Sequence, residues 1–323
     1  MKSRSKIVIS LITAVVLLMN PLMNGFNVKA SSVAEKQIEK ADPNKLNATE
    51  LTEKKDGFIS GDGEAITEIP INKKEKVLIK EESGEIGIGI PSIENETIVQ
   101  EENTVFYNGS NTSIGIQALE GGARQVIILK NGNARKKYDF TYDLEDGGYL
   151  DFAKLEDGTK DGSVIIYNKE KEPIGVIGIP WARDNNGMPV KTYYEINGTT
   201  LSQIIETNEV TSYPVIADPT TYGWYFKSGK WIVRGGKRSL SLKPSLGLRV
   251  SVGTGIASIA IAQASWKNVK SNFKSSKYWK NERSIYNQYI CHFYFASFKS
   301  EFNLEPYRKT VSLAKTIAKK CNP

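Results

Sequence analysis

Between residues 66 and 216 the chain repeats one pattern: a short β-rich run, then a cluster of turn residues. ITEIPI, KVLIK, EIGIGI, TVFYN, TSIGIQAL, RQVIILK, KYDFTYD, SVIIYN, IGVIGI, KTYYEI and TLSQII follow one another, separated by NGSN, EGG, NGN, EDGG, EDGTKDG and DNNG. Such runs have strand length, and Asn-Gly and Asp-Gly accept the positive φ that tight hairpins require. The pattern predicts an acidic antiparallel β domain over 66–216, a sandwich or a barrel.

What precedes it reads differently. Lys2, Arg4 and Lys6 lead into an apolar run at 7–19 that Asn20, Pro21 and Asn24 end; Val28-Lys29-Ala30 then offers small side chains for cleavage. This is the pattern of a secretory signal peptide over 1–30, and the run is shorter than the roughly 20 residues that span a bilayer. No cysteine near the junction offers a lipid anchor, and no second long apolar run follows. The expectation is a secreted bacterial protein, extracellular or associated with the cell wall. Residues 31–65 are mostly polar and predict a flexible or partly helical leader. In YPVIADPTT (213–221), Pro214 and Pro219 disfavour regular structure, so 217–221 is expected to be a linker.

Residues 222–323 form the last predicted unit, a basic α+β domain. WYFKSGKWIVRGG predicts a hairpin with Ser228-Gly229 at its tip, and SLSLK another strand. Ile256, Ile259, Ala260, Gln263, Trp266, Val269 and Phe273 recur at helical steps, while the small residues and alternation of VSVGTGIASIAIAQA also permit a strand. QYICHFYF (288–295) predicts a strand by its aromatic and β-branched content. EPYRKTVSLAKTIAKKC predicts a last helix with Pro306 in its first turn and Tyr307, Val311, Ala314, Ala318 and Cys321 on one face.

Charge divides the chain sharply. Residues 221–323 carry 19 basic and 3 acidic side chains, whereas 31–220 carry 20 basic and 33 acidic. A net +16 beside a net −13 points to an anionic partner for the basic third, or to an attraction between the two regions.

Two stretches resemble known families. PWARDNNGMPVKTYYEINGTTLSQII with YPVIADP resembles a β module common near the N-terminus of secreted bacterial proteins, covering about 110–220. WIVRGGKRSLSLKP, YNQYICHFYFA, NLEPYR and the terminal CNP together resemble the secreted family of the domain of unknown function 2599, covering about 222–323. Neither resemblance implies an activity. The second implies a domain identity and an extracellular setting.

Catalytic chemistry has few residues to draw on. His292 is the single histidine, and no P-loop, GxSxG, HExxH or paired CxxC occurs. Asp184-Asn185-Asn186-Gly187 lacks the spaced ligands of a calcium loop and reads as a turn. With one histidine and two cysteines, no metal and no cofactor is expected. One arrangement merits consideration. A Glu base, a His acid and a phosphate-holding Arg can cleave RNA without metal, and His292, Glu305 and Arg308 form such a set. The competing reading makes Glu305 a helix-end carboxylate and His292 a sheet residue.

The leading expectation is non-enzymatic. Lys267, Lys270, Lys274 and Lys277 form a stripe beside the apolar face of the 256–273 helix, suited to an anionic membrane or wall polymer. The protein would then be an antibacterial or toxin-like effector whose acidic module masks the basic domain by intramolecular contact. The alternative is a small secreted nuclease or other hydrolase using His292 and Glu305, with nucleic acid as partner.

Two cysteines in a secreted chain predict one disulfide. On the predicted strand, Cys291 and His292 point to opposite faces. Cys321 lies on the apolar stripe of the predicted last helix, so Cys291–Cys321 is the expected bridge.

Overall fold

The computed structural model describes residues 33–323 apart from 62–64, 73, 82–83, 95, 145–146, 224–225, 251 and 253–254. The expected signal peptide lies outside the described residues. Strand is the predominant regular structure, and among the described residues all the strand pairings are antiparallel. Ser31–Pro323 forms one compact unit.

Two large sheets face each other. One orders Thr52–Lys54, Gly57–Gly61, Ala65–Pro70, Lys76–Glu81, Gly84–Gly89, Lys137–Asp143, Thr200–Glu206 and Lys191–Asn197. The other runs from Tyr149–Lys154 through Lys160–Tyr167, Pro173–Ile177, Thr220–Gly223, Gly122–Leu129, Thr112–Leu119 and Thr104–Asn108 to Thr97–Glu101. Their inner faces share a core that includes Ile79, Ile88 and Phe140 from the first and Ile116, Ile127 and Val164 from the second. Lys137–Asp143 alternates buried and exposed side chains, as a strand with one wet face does. Gly122–Leu129 and Thr112–Leu119 are buried at every position, because the second sheet is covered on both faces.

Two bodies supply that outer cover. The first is helix α1 (Val33–Ala41), whose Ile38 and Ala41 pack on Phe106, Val126, Ile128 and Ile216. Asp42, just after it, receives Arg124 Nη1 at 2.6 Å with both side chains 1% exposed. The leader is partly helical, and its helix is docked on the sheet. Ala34, Ile38 and Ala41 make a narrow apolar stripe at helical spacing, and one stripe suffices to dock a short helix.

The second cover is the basic third. It contains a hairpin, Phe226–Arg234 with Lys237–Pro244, to which Phe302–Leu304 adds a third strand. Helices α2 (Leu246–Val250), α3 (Ala257–Phe273), α4 (Glu282–Phe295) and α5 (Leu313–Ala318) complete it. Ile261, Val269, Ile285, Tyr289, Phe293 and Phe302 share one core with Leu119, Ile165, Val176 and Tyr222 of the second sheet. Polar contacts reinforce the join. Asp161 Oδ2 accepts the Ile256 amide at 2.6 Å and Ser163 Oγ the Ala257 amide at 3.3 Å, capping α3, whose own N-cap residue offers no side-chain bond. Lys267 pairs with Glu172 at 2.6 Å and Arg249 with Glu120 at 3.2 Å.

Several expectations change. Residues 217–221 are not a linker: Val215–Asp218 and Thr220–Gly223 are buried strands, both paired with Gly122–Leu129. Pro219 interrupts the ladder between them, and its carbonyl still accepts the Gln125 amide at 3.1 Å. The hairpin tip is Gly235-Gly236, with φ of 52° and 74° at the two residues, instead of Ser228-Gly229. At Gly229 an added Cβ would lie 2.6 Å from Phe273 Cζ, so this glycine admits α3 against the strand.

QYICHFYF is helical, not extended. Ser284, Ile285, Gln288, Tyr289, Cys291, His292 and Phe293 are its buried face, spaced by threes and fours. Tertiary burial overrides β propensity here. The last helix is confined to α5, with Ser312 Oγ capping the Lys315 amide at 3.2 Å. Residues 305–311 stay irregular because α4 satisfies their backbone. Gln288 brackets Glu305, Asn281 Nδ2 binds the Arg308 carbonyl at 2.6 Å, and Asn287 Nδ2 the Val311 carbonyl at 2.7 Å. Tyr307, Ala314 and Ala318 consequently face solvent, while Cys321 stays buried.

Candidate functional site

The chemistry-bearing residues gather around α4. At its middle Cys291 is bonded to Cys321, with Cα atoms 5.3 Å apart, and packs with Ala296 and Ile317. His292 lies about 100° further round the helix. Its ring stacks on Phe302, centroids 5.2 Å apart and planes 15° off parallel, and the side chain is 1% exposed. Neither ring nitrogen has a hydrogen-bond partner of good geometry. Burial, and then the charge of Lys299, lowers its pKa from 6.5 to about 4, against weaker opposite pulls from the Asn303 backbone and Glu305. The ring is therefore neutral at neutral pH, which does not suit a resting general acid.

Glu305 is 4% exposed and clamped between arginines: Arg308 Nε at 2.5 Å and Arg234 Nη1 at 3.7 Å. Arg308 Nη1 also donates to the Pro323 main-chain oxygen at 3.0 Å. The structure therefore joins Glu305 to Arg308 and places His292 within electrostatic range, but beneath the surface. Its capacity as built is to tie the C-terminus to the hairpin. Among the described residues, no group of three or more His, Cys, Asp or Glu is placed to hold a metal.

The lysine stripe of α3 is partly neutralised, with two carboxylates for its four lysines. Lys267 pairs with Glu172, and Lys270 and Lys274 both reach Glu282, at 3.0 and 3.6 Å. The shared carboxylate holds its proton less readily than usual, chiefly through the Lys270 hydrogen bond. Lys277 instead lies over the Tyr278 ring, 5.3 Å from its centroid.

That ring leads to a surface which sequence reasoning missed. Arg238, one residue past the hairpin turn, sits over Tyr278 at 4.5 Å, and Trp231 packs against the same ring at 5.7 Å. Lys237 sits over Tyr307 at 4.5 Å, with Arg308 over it at 5.4 Å. Lys237, Arg238, Lys277, Lys280 and Arg283 are exposed, and among the described residues none of them forms an ion pair. Rings hold Lys237, Arg238 and Lys277 in place without neutralising them, which preorganises these three for phosphate or carboxylate groups. The signal was legible as RGGKR: a two-glycine hairpin turn flanked on both sides by cations.

Elsewhere, a cleft of about 700 Å³ at the edge of the first sheet is lined by residues including Lys54, Phe58, Ile69 and Lys76, with none of the expected site residues. No helix among the described residues is long and apolar enough to cross a membrane. No curated protein and no solved structure matches the chain. Residues 226–323, which include the hairpin, α3, α4, the cystine and the basic-aromatic cluster, match the family model described as Protein of unknown function (DUF2599).

Proposed function

We propose that this is a secreted bacterial protein that binds phosphate groups displayed on an anionic surface, without catalysing a reaction. The observation that carries the reading is the set of unpaired cations held over aromatic rings: Arg238 and Lys277 on Tyr278, and Lys237 on Tyr307. The secreted setting rests on the signal pattern of residues 1–30 and on the cystine. In the effector form of this reading, the acidic module shields one side of α3 through Glu172 and leaves the hairpin end uncovered.

The test is co-sedimentation of the Ser31–Pro323 protein with phosphatidylglycerol vesicles and with purified wall teichoic acid. Binding that weakens as salt rises, and that a Lys237→Ala/Arg238→Ala/Lys277→Ala variant loses, supports the reading. Wild-type protein that binds neither probe overturns it.

A nuclease or other hydrolase is the second reading, favoured by the closeness of Glu305, Arg308 and His292. It requires RNA cleavage that His292→Ala abolishes.

A further inference from the structure

The opposite end of α4 carries a different surface. Phe295 is one helical turn beyond Cys291 and 57% exposed; Phe298 is 78% exposed. The chain between them makes a hydrogen-bonded turn, with the Ala296 amide bound to the His292 carbonyl at 3.0 Å and the Lys299 amide to the Ala296 carbonyl at 3.1 Å. Tyr294 reaches Ser258, whose neighbour Ile259 is also exposed. Two phenyl rings thus project from this turn instead of folding inward, although Phe293 and Phe302 nearby are fully buried.

Three lysines lie on the segments that adjoin these rings. Lys299 follows Phe298 directly. The cystine brings Cys321 to Cys291, one helical turn before Phe295, and Lys319 and Lys320 directly precede Cys321. None of the three forms an ion pair among the described residues. Glu301, the nearest carboxylate in sequence, accepts Ser241 Oγ at 3.1 Å.

We infer that Phe295 and Phe298, with Lys299, Lys319 and Lys320 on the adjoining segments, form a wedge that docks on an anionic phospholipid bilayer. A hydrophilic polymer offers nothing in which to bury a phenyl ring. The headgroup–acyl boundary accepts the rings, while its anionic lipids attract the lysines. The wedge shares the anionic target of the proposed function but uses a separate surface, so the two fail separately.

The experiment compares the Ser31–Pro323 protein with Phe295→Ser/Phe298→Ser and Phe295→Trp/Phe298→Trp variants. The probes are vesicles of phosphatidylglycerol with phosphatidylcholine, vesicles of phosphatidylcholine alone, and wall teichoic acid. Loss of both rings is expected to lower partition onto the anionic vesicles by roughly a hundredfold. The tryptophan variant is expected to keep its partition, and polymer binding to stay unchanged. Both rings are exposed, so all three proteins should unfold at the same temperature. Unchanged vesicle partition in the serine variant overturns the wedge, as does a wild-type protein that binds the polymer but no vesicle.

Discussion

Arg124 and Asp42 form an ion pair at 2.6 Å in which each side chain is 1% exposed, 82 residues apart in sequence. Arg124 also donates to Gln117 through Nε at 2.8 Å. Its charge pulls down the carboxyl of Asp218, which burial nevertheless raises to about 7. One guanidinium therefore serves two buried carboxylates. Arg124→Met should cost about 3–5 kcal/mol, because it strands buried charge. Urea unfolding measures this, and a loss below about 1 kcal/mol would show that the pair does not hold α1 on the sheet.

His292 should make the protein acid-sensitive. Its folded pKa of about 4 lies below the ordinary 6.5, so between those values the unfolded chain takes up a proton that the native ring refuses. Stability from this residue is present above about pH 6.5 and is lost as pH falls through 4. His292→Phe keeps the stacking on Phe302 and removes the titration. The variant's stability relative to wild type should rise by about 2–3 kcal/mol between pH 7 and pH 4.5. Parallel pH profiles would contradict this.

The cystine closes a loop of 30 residues. In the chain-entropy picture that contributes about 3–4 kcal/mol. Reductant, or Cys291→Ala/Cys321→Ala, should lower the denaturation midpoint accordingly. It should also expose the α5 segment to protease first, since Cys291, Ala296, Cys321 and Ile317 form a small core of their own. An unchanged midpoint and cleavage pattern would show the bridge to be incidental.

Much of the β architecture was legible because strand length and turn chemistry are local properties. The cover on the second sheet was harder to read. Its trace in sequence is the loss of alternation in runs such as VIIL and SVII, which signals burial on both faces. QYICHFYF misled because its composition favours a strand, while the spacing of Ile285, Gln288, Tyr289 and His292 records a helix. Nothing local reveals that Asp161 caps a helix beginning 95 residues later. The cysteine pairing was legible, since two cysteines leave one choice. The lysine stripe was legible as well, but its partners Glu172 and Glu282 were not, and they shift attention to Lys237 and Arg238.

In the proposed function, the aromatic-held cations at the hairpin end, not the α3 stripe, engage the anionic target. The most direct measurement titrates teichoic acid against two triple variants, Lys237→Ala/Arg238→Ala/Lys277→Ala and Lys267→Ala/Lys270→Ala/Lys274→Ala. The first should lose binding by roughly tenfold or more and flatten its salt dependence, while the second should change it by less than about threefold. Equal losses in both variants, or a greater loss in the second, would contradict the proposed function.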